Sequence, residues 1–147
     1  MSDSRKESLY LAIIGSKDNA IYSLEFGTSR QGGEGVSKFT PDMKQLCPFI
    51  VHSSLDIVDE VQWTTPTMYL KVIDKFYNYY VSAFVTAGNI KFLLLHENRA
   101  EDSIRQFFQE LYDLYTKTLI SPFYSVNQTI TSKNFDHRVR NLAKKYL

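Results

Sequence analysis

Apolar positions along this chain change their spacing several times, and each change marks an element. Residues 8–15 (SLYLAIIG) and 20–26 (AIYSLEF) are rich in branched and aromatic side chains and bracket the polar turn Lys17-Asp18-Asn19, which predicts a first β-hairpin. Residues 27–38 hold four glycines among Ser, Thr and Gln, a loop composition. Thr40-Pro41 then supplies a capping hydroxyl and a proline at the first helical position. Pro48 lies inside the helix so begun, where it removes a hydrogen bond and crowds the preceding turn. The expectation is a kink there, or a short turn at 41–46 with the main helix starting near Pro48.

Residues 49–63, FIVHSSLDIVDEVQW, fit a single helix with two incompatible faces. Leu46, Ile50, Ile57 and Val61 recur at helical spacing, and Val51, Leu55 and Val58 widen the apolar stripe. At about 100° per residue, His52, Ser53, Asp59 and Glu60 fall within about 60° of Asp56 on the other side, with Phe49 and Trp63 among them. In one uninterrupted helix the three carboxylates occupy the last turns, where the macrodipole is negative and each charge costs about 0.3–1 kcal/mol. Local stability does not select that arrangement. An acidic cluster framed by two large aromatics is therefore expected to be a partner-binding surface, the bland alternative being a solvated face.

After the Thr64-Thr65-Pro66 stop, residues 68–76 (MYLKVIDKF), 79–87 (YYVSAFVTA) and 90–95 (IKFLLL) read as three strands. Tyr77-Asn78 is the turn between the first two, and Gly88-Asn89 a two-residue hairpin loop between the last two. The period then becomes helical: Ile104, Phe107, Phe108, Leu111, Leu114, Tyr115 and Leu119 share one face, while Arg105, Gln109, Glu110, Asp113 and Lys117 fill the other. Asn98 with Glu101 resembles a capping box, and Ser121-Pro122 stops the helix. A last helix, capped by Ser132, buries Phe135, Val139, Leu142, Ala143 and Tyr146 and turns Lys133, Arg138, Arg140, Lys144 and Lys145 outward. The order ββαβββαα predicts one α+β domain spanning 1–147, with antiparallel hairpins and helices packed on them.

Composition narrows the function classes. A chain of 147 residues buries a sizeable core without disulfides or metals. Cys47 is its one cysteine, which points to a reducing compartment. Residues 1–74 carry 7 basic and 10 acidic side chains (−3) and residues 75–147 carry 10 and 6 (+4), too weak an asymmetry for a nucleic-acid binder. The apolar runs 9–14 and 92–95 are too short for a signal core or a membrane span.

Candidate chemistry is sparse. His52, Ser53 and Asp56 suggest a triad, but adjacent side chains on a helix diverge by about 100°, which opposes a Ser–His bond. His52, His96 and His137 are widely spaced, and no acidic or cysteine partner completes a metal set. His96, closing a strand, reads as a satisfied structural residue. The glycine-rich loop has Gly33 and Glu34 where a phosphate-binding loop needs lysine and a hydroxyl. No catalytic residue, cofactor or metal is therefore expected. The basic face of the last helix suits phosphates or an anionic surface, but cations at a helix C-terminus are also locally stable.

Read in order, these strings resemble the sedlin family, small longin-fold subunits of the TRAPP vesicle-tethering complex. The likeness runs through Gly15 with Asp18-Asn19, then Phe49-Ile50, His52, Leu55-Asp56, Val58-Asp59-Glu60 and Trp63. It continues in Met68-Tyr69-Leu70-Lys71, Asp74-Lys75-Phe76 and the run from Val81 to Gly88. Leu95-His96, Phe107-Phe108, Tyr112-Asp113-Leu114-Tyr115, Pro122-Phe123-Tyr124 and Lys144-Lys145 complete it. Its specificity comes from order and from coverage of nearly the whole chain. Ala20, where the family's turn often has proline, and Pro48, within the family's first helix, depart from the pattern.

The resemblance implies a longin (SNARE-like, profilin-like) fold, a five-stranded antiparallel sheet with one helix on one face and two on the other. It also implies a non-enzymatic adaptor joining core subunits to larger, complex-specific ones, in an assembly that activates a Rab GTPase by nucleotide exchange during endoplasmic reticulum to Golgi transport. Partners would be other TRAPP subunits, with the Rab reached only through the complex, no nucleic acid, and no membrane insertion beyond peripheral contact. The location would be cytoplasmic, peripheral at endoplasmic reticulum and Golgi membranes. The aspartate matching Asp56 is the family's best candidate for partner contact. The interface expected from residue pattern and resemblance together is Phe49, His52, Ser53, Asp56, Asp59, Glu60 and Trp63. Two rivals are a regulatory longin domain binding a SNARE helix and an enzyme or exchange factor acting alone. The first calls for a heptad segment after the domain, and the sequence reaches Leu147 without one.

Overall fold

The computed structural model describes residues 8–27, 41–64, 67–76, 79–86, 88–97, 101–122, 124 and 128–146. Their elements run β1 (Ser8–Ile14), β2 (Ala20–Gly27), α1 (Pro41–Ser53), α2 (Leu55–Thr64), β3 (Tyr69–Phe76), β4 (Tyr79–Val85), β5 (Lys91–His96), α3 (Glu101–Ile120) and α4 (Lys133–Tyr146). The expected Tyr77-Asn78 turn, the Asn98 cap and most of the glycine-rich loop lie outside the described residues.

The strands form one antiparallel sheet in the order β2-β1-β5-β4-β3. β1 and β5 are buried on both faces, which is why their sequences are continuous apolar runs rather than alternations. From β1, Leu9, Leu11 and Ile13 join Phe92 and Leu94 of β5 under α3 and α4, together with Ile104, Phe107, Phe108, Leu111, Phe135 and Val139. Tyr10, Ala12 and Ile14 join Leu93 and Leu95 on the opposite face, under Cys47, Ile50, Val51, Leu55 and Val58. Helices thus cover both faces in the expected arrangement, and the longin architecture follows. Ser132 caps α4 as anticipated, with the Phe135 amide donating to its hydroxyl at 3.2 Å.

Two local expectations are corrected. α1 runs from Pro41 to Ser53 with Pro48 inside it, so the alternative of a short turn at 41–46 with the main helix starting near Pro48 does not hold. Pro48 is exposed, so the hydrogen bond it removes lies on the solvent side, where water replaces the lost donor. The interruption comes instead at Ser54, so the single helix expected over 49–63 is two helices, α1 and α2. Ser54 is fully buried, and its Oγ sits 3.0 Å from the Ile50 carbonyl and 3.2 Å from Asp74 Oδ2 on β3. Back-bonding of a serine hydroxyl to the preceding turn bends helices, and here the bend is pinned to the sheet.

The β4–β5 hairpin is also not the two-residue loop expected. The Thr86 amide bonds the Ile90 carbonyl at 2.9 Å, the Asn89 amide bonds the Thr86 carbonyl at 3.0 Å, and Asn89 is left-handed (φ 63°). The β1–β2 turn repeats this pattern: Gly15 amide to Asn19 carbonyl at 2.7 Å, Asp18 amide to Gly15 carbonyl at 2.9 Å, and Asp18 at φ 62°. A tight turn closed by a left-handed residue matches strand twist, and Asp and Asn tolerate that conformation better than most residues. Because β1 is antiparallel to β5, with Ile14 opposite Lys91, the two turns lie side by side at one end of the sheet.

Candidate functional site

The outer surface of α1 and α2 is the region singled out by the sequence, and all seven residues expected there point outward. Phe49 is 66% exposed and Trp63 84%, and His52, Ser53, Asp56, Asp59 and Glu60 are exposed with them. On the inner side Ile50, Val51, Leu55 and Val58 are buried, whereas Leu46, Ile57 and Val61 are only half-buried at the edges of the stripe. The outward face therefore survives the break, since Ser54 keeps both its flanking backbone bonds: its amide to Ile50 at 3.0 Å and its carbonyl from the Val58 amide at 3.0 Å.

The break does overturn one electrostatic argument. Asp56 does not stand in the last turns of a long helix but in the first turn of α2. A carboxylate at a helix N-terminus is favoured by the macrodipole rather than penalised. The location of Asp56 is thus locally stable, and its claim to a binding role rests on exposure and neighbours alone.

Asp59 has a partner inside the fold. Lys91, the first residue of β5, has a side chain only 2% exposed, and its Nζ lies 3.1 Å from Asp18 Oδ1 and 3.7 Å from Asp59 Oδ1. Among the described residues, Asp56 and Glu60 make no ion pair, so they are the face's uncompensated charges. Beyond Glu60, Trp63 and Gln62 border a shallow depression of about 370 Å³ with Met68, Leu70, Val85 and Asn89. Met68 is itself 38% exposed, so an apolar ledge adjoins the acidic one.

His52, Ser53 and Asp56 are joined by no hydrogen bond among the described residues, in keeping with their divergence along the helix. The Ser–His pair that does form is one the sequence reading missed. Ser82 Oγ lies 2.8 Å from His96 Nε2, with both residues buried under the α3 side of the sheet. His96 Nδ1 meets the Glu97 carbonyl, which can only accept, so Nδ1 carries the proton and Nε2 accepts from Ser82. His96 is thus satisfied, as expected, and the pair has no access to solvent. Pairing of Tyr80 opposite His96 across β4 and β5 was the signal that put position 82 one pleat away.

Two larger clefts flank α3: about 760 Å³ beside β3 and about 450 Å³ against α4. Neither is lined by histidine or cysteine. Burial pushes the Cys47 thiol up to about 12, with Glu25 adding to the shift, which leaves it a buried apolar residue rather than a nucleophile. Among the described residues no three metal-ligating side chains come together, and no helix is long and apolar enough to cross a membrane. Lys133, Arg138, Lys144 and Lys145 of α4 are exposed, while Arg140 is held by Asp136 at 2.8 Å.

A five-stranded antiparallel sheet covered by helices on both faces is the architecture of a small longin-type domain. The chain belongs to the Sedlin family, whose model matches residues 13–145. It is 51% identical to the "Transport protein particle 20 kDa subunit" of Schizosaccharomyces pombe over 94% of this chain and 98% of that one. It is 43% identical to the "Probable trafficking protein particle complex subunit 2" of Caenorhabditis elegans, covering 96% and 97%. With the "Trafficking protein particle complex subunit 20" of Saccharomyces cerevisiae the identity is 37%, covering 94% and 97%.

Proposed function

We propose that this chain is a non-catalytic subunit of a trafficking protein particle complex, a vesicle-tethering assembly, and that it joins core subunits to larger, complex-specific ones. The observation that carries this reading is the match to subunits of that name in several organisms, at 37 to 51% identity across at least 94% of this chain. The docking surface is the outer face of α1 and α2. Phe49 and Trp63 are its anchors, and Asp56 and Glu60, with His52, Ser53 and Asp59 around them, give polarity against a basic patch on the partner. The assembly works on the cytoplasmic side of endoplasmic reticulum and Golgi membranes, where it promotes nucleotide exchange on a Rab GTPase. This subunit meets the Rab only through the complex, and contact with lipid is peripheral.

Replacing Asp56 with lysine tests the surface. Purification of the tagged Asp56→Lys chain from cells should lose the larger subunits while the chain stays folded, its melting temperature falling by no more than about 2–8 °C, since reversing a charge in the first turn of α2 costs about 0.6–2 kcal/mol. Undiminished recovery of every subunit would refute this assignment.

A further inference from the structure

We propose that Lys91 is a positioning residue for the docking face: through Asp59, its buried ammonium holds α2 against the sheet and sets where Asp56, Glu60 and Trp63 stand. The inference rests on the docking surface proposed above and assigns a role to a residue that takes no part in it directly. Lys91 is the one charged side chain among the buried residues described, and it does not contact the exterior on its own account. Its Nζ is bracketed by two carboxylates from separate elements: Asp18 at 3.1 Å from the β1–β2 turn and Asp59 at 3.7 Å from the middle of α2. Both aspartates are themselves about half exposed, at 58% and 53% of their side chains.

The arrangement is unequal in a telling way. A buried ammonium needs an anion, and Asp18 alone, held in a tight left-handed turn beside it, already supplies the closer one. The second carboxylate is surplus to that need. What it adds is a polar tether between α2 and the strand beneath, one helical turn beyond the interruption at Ser54. Asp56, Glu60 and Trp63 all lie within four residues of Asp59, about one helical turn, so a tether at Asp59 orients all three.

Trp63 is the only tryptophan in the chain, so its fluorescence anisotropy reports α2 directly in the isolated protein. Five variants separate the roles: Asp59→Asn, a surface change that cannot empty the core; Lys91→Met, which fills the same space without charge; the double variant; Lys91→Arg, which keeps the charge; and Asp18→Asn as the control. Asp59→Asn and Lys91→Met should each shorten the Trp63 rotational correlation time and weaken recovery of the partner subunits roughly threefold to tenfold. The double variant should be no worse than either single one, Lys91→Arg should restore both readouts, and Asp18→Asn should leave Trp63 unchanged. Unaltered Trp63 mobility in both Asp59→Asn and Lys91→Met would overturn the inference. So would partner loss in Asp59→Asn but not in Lys91→Met, because Asp59 would then act on the partner without help from Lys91. Retention of partners by Asp56→Lys would instead refute the docking surface, and the Trp63 measurement would still judge the tether.

Discussion

The hydroxyl of Ser54 lies 3.2 Å from Asp74 Oδ2, joining the point where the α1–α2 helix breaks to strand β3. Asp74 Oδ1 accepts from the Lys75 amide at 2.8 Å, while its Oδ2 shares the single Ser54 hydroxyl proton with the Ile50 carbonyl. This contact ties the α1–α2 junction to the sheet. Ser54→Ala should cost about 1–3 kcal/mol, since it deletes a buried hydroxyl and leaves a half-buried carboxylate oxygen without its donor. A fall in melting temperature of about 2–10 °C is the expected reading. A shift below 1 °C would mean that the bend does not depend on this hydroxyl.

Large exposed aromatics contribute little to folding and much to association. Phe49→Ala and Trp63→Ala should each leave the urea midpoint nearly unchanged, within about 0.5 kcal/mol, while weakening subunit binding by about 1–3 kcal/mol. Substitution of half-buried Ile57, next to Asp56 but on the edge of the inner stripe, should show the reverse balance. Equal effects at all three positions would place the interface elsewhere.

Tyr22 donates to Asp136 Oδ1 at 2.6 Å, and Arg140 Nε donates to Oδ2 at 2.8 Å, stapling β2 to α4. Although burial pushes the Asp136 carboxyl up, these two donors hold it below the usual carboxylate value. A depressed folded-state value contributes stability above the ordinary pKa of about 4, and that contribution is lost as pH falls through the folded value. Tyr22→Phe should therefore be less stable than wild type near neutral pH, with the deficit shrinking as pH drops below about 4. Urea midpoints measured from pH 7 down to pH 2 would check this, and a deficit constant across that range would exclude the linkage.

Cys47 is wholly buried, and its thiol is pushed up to about 12. Alkylation at pH 8 should proceed only through opening of the α1 region, with a rate that rises in proportion to the unfolded fraction as urea is added. Rapid modification in native buffer would contradict the packing of α1 described above.

Periodicity made most of the fold legible. The ββ hairpin, the three-strand meander and α3 and α4 stand where the spacing of apolar residues put them, because the burial of one face of each element leaves a repeat that survives in the sequence. The breaks were harder to read. Pro48 is a stronger helix breaker by intrinsic propensity than Ser54, yet the helix passes through Pro48 and stops at Ser54. Solvent replaces the bond that an exposed proline removes, whereas a buried serine is compelled to find a partner, and the partner that bends the chain is twenty residues away on β3. Asp56 shows the consequence: its outward placement was legible from helical spacing, but its electrostatic setting reversed once the break fell just ahead of it.

The sequence by itself determined most of the inward and outward positions, though not the half-burial of Leu46, Ile57, Val61, Leu142 and Tyr146 or the burial of Lys91, and with them the α+β class, the element order and the outward set from Phe49 to Trp63. These follow from local rules, the period of the backbone and the cost of wetting apolar side chains. Tertiary structure alone decided the pairing of β1 with β5, the union of Ser82 with buried His96, and the placement of the Lys91 ammonium between Asp18 and Asp59. The polar contacts join residues 14 to 73 positions apart in the chain, and no spacing rule reaches that far, because a buried polar group takes its partner from whatever the sheet brings beside it.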